Sequence, residues 1–259
     1  MNFSLHTTPF SLVLSGGGAL GIAHLGVIAD MEARGIVPDE IVGTSMGGIV
    51  GACVAVGMKE ADIYDAIARF GSVTNWLKLS FSGNAIVEHD NIAEIFTHLF
   101  GKRMMGETDI PLKLIATELR TGEKRVFSET DDVRLVDALL ATMAIPGIFE
   151  EPEIDGKVYG DGFLCANLAV DDAAYEHVLA VDVLGAGSFD KTLPNHRLKT
   201  KNVLLMMERS MRLLIYHQTQ KTLACTDKTV RYIDIPTAGF KTFQFHKHDA
   251  LRMLGKGLL

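Results

Sequence analysis

Apolar residues near the start of the chain form two short runs separated by a helical pattern. The first run, residues 10–14, predicts a buried strand that leads directly into a glycine-rich segment, residues 15–21. Helical spacing follows at Leu20, His24, Ile28 and Met31, and Gly35 is a typical helix stop. The second run is at residues 41–42. Strand, helix and strand form a β-α-β unit, so we expect the two strands to be parallel.

The rest of the chain alternates between helical and strand patterns. Helices are predicted over residues 48–56, 59–70, 91–100, 133–143 and 202–222. Strands are predicted over residues 112–118, 124–128, 177–183 and 230–235, and a hairpin over residues 154–161. There is no internal repeat and no linker. The simplest interpretation is one α/β domain that covers residues 1–259.

Two segments allow more than one interpretation. Residues 71–88 have no regular pattern and carry Trp76 and Phe81, so we expect either a wall of a substrate pocket or a surface loop. The helix over residues 202–222 has a stripe rich in Met and Leu. Such a stripe predicts packing in the core, and the alternatives are a lid, a lipid-facing surface or a dimer surface.

The composition is that of a globular protein with a substantial core. The chain has 259 residues, of which 47% are hydrophobic and 22% are charged. Its net charge of -7 and its pI near 5.7 argue against nucleic acid as a partner. No basic, apolar leader and no apolar stretch of membrane-spanning length is present in the sequence. We therefore expect a cytoplasmic protein, and peripheral contact with the inner membrane face remains open.

The three cysteines do not indicate a metal site or a disulfide framework. Cys53, Cys165 and Cys225 show none of the spacings that zinc sites or disulfide-rich domains have. Cys53 and Cys165 lie in apolar sequence and are expected to pack as small hydrophobic side chains. The sequence predicts neither a metal nor a cofactor.

The strongest chemical signal is Gly43-Thr44-Ser45-Met46-Gly47, which lies between the second strand and a small-residue helix. Strand, Gly-x-Ser-x-Gly and helix together are typical of a nucleophile elbow. Gly43 and Gly47 leave room for a tight turn, and the helix behind it directs its free N–H groups towards the site. We predict that Ser45 is a nucleophile that accepts an acyl group.

A serine nucleophile also needs hydrogen-bond donors where charge develops on the attacked carbonyl group. Gly16, Gly17 and Gly18 follow the first strand, and their bare backbone N–H groups are candidates for an oxyanion hole. Gly16, Gly18 and Gly21 also fit a dinucleotide-binding Gly-x-Gly-x-x-Gly fingerprint. That alternative is disfavoured because the acidic residues 39–40 precede the second strand instead of following it.

Two kinds of general base are consistent with the sequence. A histidine would complete a Ser-His-Asp triad, but the nine histidines are scattered and His24 is better explained by packing or capping. Asp161, between Gly160 and Gly162, would form a Ser-Asp dyad. An ordinary aspartate, with a pKa near ~3.9, is a poor base. Asp161 would therefore need burial and a tight hydrogen bond to Ser45.

Five blocks of sequence, in this order, resemble the patatin-like phospholipase family in its compact bacterial form. The blocks are SGGGALGIAHLGV (residues 15–27), GTSMGG (43–48), ATELRTGE (116–123), AIPGIF (144–149) and DG (161–162). The resemblance covers residues 10–170, and the strands and helices after it would complete the domain. It implies a three-layer α/β/α fold with a central, mainly parallel sheet.

The resemblance also implies an activity, namely a serine lipid acyl hydrolase with a Ser-Asp dyad, an acyl-enzyme intermediate and no metal. Ser45 would be the nucleophile, Asp161 the base, and the backbone amides of residues 16–18 the oxyanion hole. Supporting glycines would be Gly21, Gly43, Gly47 and Gly162. The substrate would be a lipid or another acyl ester. Two alternatives remain open on the same scaffold, a non-catalytic lipid- or acyl-binding module and an acyltransferase.

Overall fold

The computed structural model describes residues 3–71, 89–190, 192–195 and 197–259. Its strands are β1 Phe10–Leu14, β2 Glu40–Thr44, β3 Leu112–Glu118, β4 Lys124–Phe127, β5 Glu153–Ile154, β6 Lys157–Asp161, β7 His177–Asp182 and β8 Thr229–Asp234. Its α-helices are α1 His24–Ala33, α2 Met46–Ala55, α3 Glu60–Gly71, α4 His89–Phe100, α5 Leu135–Met143, α6 Lys199–Cys225 and α7 His248–Leu254. A short 3₁₀ helix, Gly18–Ala23, precedes α1.

All the described strands belong to one mixed sheet that contains a run of five parallel strands. Hydrogen-bonded pairing runs β5-β6-β3-β2-β1-β7-β8, and β4 also pairs with β3. The strands β3, β2, β1, β7 and β8 are parallel to one another, whereas β4 and β6 are antiparallel to β3. The predicted parallel pairing of β1 with β2 is confirmed, with Leu12 opposite Ile41.

Helices and loops cover both faces of the sheet. Alternate residues of β1 pack into two separate apolar clusters, Leu12 and Leu14 into the larger one and Val13 into the smaller one. The larger cluster packs side chains of α1 to α5 and of α7 against the sheet, and residues 168–173 cover the other face. Because both faces are covered, all five residues of β1 are buried. The predicted α/β class with a central, mainly parallel sheet is confirmed.

Most predicted elements appear within two or three residues of their expected bounds, and β1 and β3 appear at the bounds predicted for them. The predicted hairpin is β5 and β6, and its two turn residues, Asp155 and Gly156, both have positive φ. The segment expected to be a pocket wall or a surface loop lies outside the described residues from residue 72 to residue 88.

The interpretation of the 202–222 stripe as core is wrong for most of its residues. On α6 only Arg212, Ile215 and Thr219 are buried. The Met and Leu side chains in the first half of the helix are largely exposed. The helix contacts the remainder of the protein along a narrower face than its apolar content suggests, so the alternative of an outward-facing apolar surface describes this half.

Candidate active site

Ser45 sits at the sharp turn between β2 and α2. Its φ of 54° and ψ of -126° lie in a region that residues with a side chain seldom adopt. The turn is held because the Ser45 N–H donates to Oγ1 of Thr142 at 2.9 Å. Ser45 is therefore presented at the carboxyl end of the sheet by a strained backbone, as a nucleophile elbow requires.

The strand β3 brings Asp161 to Ser45. Both β2 and β6 pair with the same edge of β3, because β4 occupies its other edge along Leu114–Thr117. The strand β2 pairs as far as Ile115, and β6 pairs from Ala116 onwards in the opposite direction. The carboxyl ends of β2 and β6 therefore meet head-on. The Ser45 hydroxyl donates to Oδ2 of Asp161 at 2.6 Å, although 116 residues separate the two.

The carboxyl group of Asp161 is fully buried. Desolvation raises its pKa from 3.8 to about 7, against two opposing hydrogen bonds, from the Ser45 hydroxyl and the Phe163 N–H. The Phe163 N–H donates to Oδ1 at 3.0 Å and so fixes the plane of the carboxyl group. Among the described residues no basic side chain forms an ion pair with it. The burial that a Ser-Asp dyad needs is present.

The three glycines after β1 have different roles in this structure. The Gly16 N–H already donates to the Asn167 carbonyl oxygen at 3.3 Å. Gly18 has a φ of 56° and lines the pocket beside Ser45. Across the described part of the chain, the N–H groups of Gly17 and Gly18 have no acceptor within hydrogen-bond distance. These two amides are free to bind an anionic oxygen, whereas the amide of Gly16 is occupied.

The four supporting glycines stand where the backbone or a neighbouring residue comes too close for a side chain. A Cβ atom on Gly47 would lie 2.4 Å from the Leu14 carbonyl oxygen. One on Gly162 would lie 2.3 Å from the Ile115 carbonyl oxygen. Gly21 and Gly43 are similarly close to neighbours in α2. These glycines allow the elbow, the glycine loop and the Asp161 turn to converge on one point.

His24 is buried behind the glycine loop, and its ring is hydrogen-bonded to that loop and not to Ser45. Its Nε2 lies 2.9 Å from the Ser15 carbonyl oxygen, to which only a protonated nitrogen can donate. Complete burial lowers its pKa to about 4, and the hydrogen bond to Ser15 opposes that effect. The ring is therefore neutral near pH 7, and the packing role expected for it agrees with this geometry.

Ser45 lines an apolar pocket. Besides Ser45 and Gly18, the lining consists of nine apolar side chains: Met46, Ile49, Ile67, Phe96, Met143, Ile145, Phe149, Phe243 and Phe245. They come from five separate parts of the chain, including the segment between β8 and α7. A hydrocarbon chain is the kind of ligand that such a lining favours.

The sequence analysis did not predict a supporting role for three residues of the site. Thr142, on α5, holds the elbow through the Ser45 N–H. Asn167 accepts the Gly16 N–H, and the Thr242 carbonyl oxygen accepts the Ala19 N–H at 2.7 Å. All three contacts join segments far apart in the chain, so neither spacing nor periodicity could predict them. Only the Gly-rich character of the loop hinted that other parts of the backbone would approach it.

The described residues hold no group of three or more His, Cys, Asp or Glu side chains arranged for a metal ion. Cys53 is buried and desolvation raises the pKa of its thiol to about 12, which suits a packing role. In the described parts of the chain, no helix combines the length and the apolar character needed to cross a membrane.

Comparison with known proteins finds curated relatives that are named as NTE proteins. An uncharacterized NTE family protein of Mycobacterium tuberculosis is 31% identical over 153 residues, which are 59% of this chain and 42% of the relative. Lysophospholipase NTE1 of Debaryomyces hansenii is 27% identical over 271 residues, which cover 94% of this chain and 17% of the relative. The chain thus spans less than half the length of either curated relative.

A solved structure, VipD from Legionella pneumophila, matches with a TM-score of 0.52 at 15% identity, covering 95% of this chain and 66% of that one. At that identity the likeness shows the fold alone. The sequence model described as patatin-like phospholipase matches residues 12–174. That match includes the glycine loop, the elbow and the Asp161 turn, and it covers more than half of the 259 residues. The chain belongs to the patatin-like phospholipase family.

Proposed function

We propose that this chain hydrolyses carboxylic esters of lipids through a Ser45–Asp161 dyad and an acyl-enzyme intermediate. The observation that carries the proposal is the 2.6 Å hydrogen bond from the Ser45 hydroxyl to a fully buried carboxyl group, at a strained elbow facing an apolar pocket. The yeast relative named as a lysophospholipase supports the same substrate class. We also propose that residues 1–259 form a single domain, since β7 and β8, which follow the family match, extend the same sheet.

The chemistry begins with proton transfer from Ser45 to Asp161. In its ionised form Asp161 takes the hydroxyl proton through Oδ2 as Oγ attacks the ester carbonyl carbon. A pKa raised to about 7 makes this carboxylate a stronger base than an exposed one, while leaving it largely ionised at slightly alkaline pH. Protonated Asp161 then donates the proton to the departing alcohol, which leaves the acyl group on Ser45.

Deacylation repeats these steps with water. Asp161 accepts a proton from a water molecule, which attacks the acyl carbonyl carbon, and the Ser45 oxygen leaves with that proton. In both halves of the reaction the carbonyl oxygen becomes negative. We assign its stabilisation to the free N–H groups of Gly17 and Gly18, and to the positive end of α2, which begins at Met46. Each well-placed donor is worth ~3 kcal/mol. Gly16 contributes by holding the loop through Asn167.

The first experiment tests whether Ser45 is a working nucleophile. Wild-type protein, Ser45→Ala and the control Ser210→Ala are treated with a fluorophosphonate probe and assayed with a short p-nitrophenyl ester. Ser210 is an exposed serine on α6, so its loss leaves the site intact. We expect labelling and turnover in wild type and control, and neither in Ser45→Ala. Equal turnover in all three proteins would instead favour a lipid-binding module.

The second experiment separates the two candidate bases. Asp161→Asn should abolish turnover, because the amide cannot accept the serine proton. His24→Ala should cost stability, since a buried side chain is lost, yet its folded fraction should still react with the probe. A folded His24→Ala protein without activity would contradict the dyad. Product analysis in the presence of an added alcohol or thiol distinguishes hydrolysis from acyl transfer.

A further inference from the structure

The N-terminal part of α6, up to Leu214, carries an apolar stripe that faces outward. Leu204, Met207, Met211 and Leu214, here called the α6 stripe, are 67%, 59%, 44% and 72% exposed. Their spacing of three, four and three residues places them along one side of the helix. Val203, Met206 and Leu213 add further exposed apolar side chains to the same part of the helix. Exposed apolar side chains that lie together in this way are typical of a surface that binds a membrane, a protein or an apolar ligand.

The charge of α6 is opposite to that of the whole protein. The helix contains five Lys and Arg residues and one Glu, in a chain of net charge -7. Lys199 and Lys201 stand exposed at its start, one turn before the α6 stripe, and Lys221 is exposed near its end. A helix with an apolar side flanked by basic residues has the composition of one that lies in the plane of an anionic membrane surface.

We propose that the α6 stripe docks this protein onto an anionic lipid bilayer. The inference rests on the proposed function, because a lipid-ester hydrolase must reach a substrate held in a bilayer. A second copy of the chain fits the same surface less well. Two stripes packed face to face would bring two basic helices together, and their like charges would repel each other. An anionic bilayer complements both features of the helix. The stripe would lie among the acyl chains, and the lysines would lie at the phosphates.

The side of α6 next to the stripe holds a wall of the apolar pocket. Oε1 of Glu208 accepts the N–H of Thr242 at 3.2 Å and its hydroxyl at 2.9 Å. Arg212 donates to the Phe240 carbonyl oxygen at 3.0 Å. The segment held in this way supplies Phe243 to the pocket, and Phe243 is itself 52% exposed. A bilayer contact on α6 is thus joined through two polar side chains to the wall of the pocket and to the glycine loop.

A vesicle-binding experiment tests the proposal without depending on catalysis. All proteins carry Ser45→Ala, so that no lipid is consumed, and are mixed with vesicles of phosphatidylcholine and phosphatidylglycerol in equal amounts, then separated by flotation. The test variant is Leu204→Gln/Met207→Gln/Leu214→Gln. The matched control, Val37→Gln/Met253→Gln, changes side chains that are 66% and 59% exposed, in the loop before β2 and on α7. Circular dichroism and thermal melting check that each variant is folded.

We expect the stripe variant to lose at least about 100-fold in vesicle partitioning. The reason is that amides replace apolar groups that would be buried in the bilayer. The control should bind like the parent. Lys199→Gln/Lys201→Gln should lose about fivefold for each charge, and only on anionic vesicles. Absence of binding by the parent, equal binding by the stripe variant, or equal loss in the control would each overturn the proposal.

Sedimentation velocity without vesicles tests the rival occupant. A parent dimer that the stripe variant converts to a monomer would assign the stripe to a second copy and overturn lipid docking. Failure of this inference differs from failure of the proposed function. The latter is judged by Ser45-dependent hydrolysis of a water-soluble ester, which needs no membrane.

Discussion

The burial of Asp161 predicts that removing its charge abolishes activity and stabilises the fold. Desolvation raises its pKa from 3.8 to about 7 in the folded protein. The folded-state pKa lies above the unfolded-state value, so the native state retains the proton between the two. The stabilising contribution of the protonated form is therefore fully present below about pH 4 and is lost as pH rises through 7. At ~1.4 kcal/mol per pKa unit, ionisation lowers the free energy of unfolding by about 4 kcal/mol at pH 8.

Asp161→Asn removes this cost because the amide stays neutral and nearly the same shape. The Asn side-chain oxygen can still accept the Phe163 N–H that Asp161 accepts at 3.0 Å. At pH 5 less than half of the cost has developed, since the unfolded chain alone has ionised. The gain in free energy of unfolding should thus be roughly 2 to 3 kcal/mol larger at pH 8 than at pH 5. Any constant change in hydrogen bonding cancels in that difference.

The measurement is urea unfolding of wild type, Asp161→Asn and the control Asp132→Asn at pH 5 and pH 8. Asp132 is exposed, so its variant reports the effect of removing one carboxylate from the surface. Turnover of a soluble ester is followed in the same samples. A stability gain that is the same at both pH values, or a loss at pH 8 beyond the control, would refute the burial argument. Retained turnover in Asp161→Asn would refute the role of the carboxylate as base.

Three further predictions follow from the same structure. In wild type, kcat/KM for a soluble ester should rise with pH to a plateau, with a midpoint near the pKa of Asp161, about 7; a midpoint near 4 would contradict a buried base. Gly47→Ala should cost about 3 kcal/mol in urea unfolding because its Cβ meets backbone at 2.4 Å. Gly48→Ala, whose nearest neighbour is a leucine methyl group at 2.9 Å, should cost less, and the reverse order would contradict the packing. Glu208→Gln should loosen Thr242 and lower kcat about tenfold with a smaller change in KM; an effect on KM alone would assign Glu208 to substrate binding.

In α6 the apolar pattern of the sequence does not predict which side of the helix is buried. Its Met and Leu spacing predicts an apolar side, and the helix does have one. The spacing carries no information about what covers that side. In the structure the buried contacts of the helix are made by Arg212, Ile215 and Thr219, which lie beside the stripe. Periodicity reports that a side is apolar, whereas burial depends on which segments of the chain approach it.

The glycine loop gives a second example at the level of single atoms. Three consecutive glycines predict three bare amides, and nothing in the local sequence distinguishes one amide from another. The structure distinguishes them, because Asn167, from a distant turn, accepts the N–H of Gly16. The donors left free are those of Gly17 and Gly18. Which amide of a loop is available depends on acceptors that are remote in sequence, and local composition does not encode them.

By itself the sequence determined the features that depend on near neighbours along the chain. These are the strand and helix periods, the parallel β1–β2 unit, the glycine-flanked serine and the five blocks typical of the family. Only the tertiary structure decided that Ser45 and Asp161 meet, since their contact requires β2 and β6 to share one edge of β3. The same packing removes water from Asp161 and so raises its pKa. Proximity and desolvation arise from segments far apart in the chain, which is why residue patterns suggested this pair but could not establish its geometry.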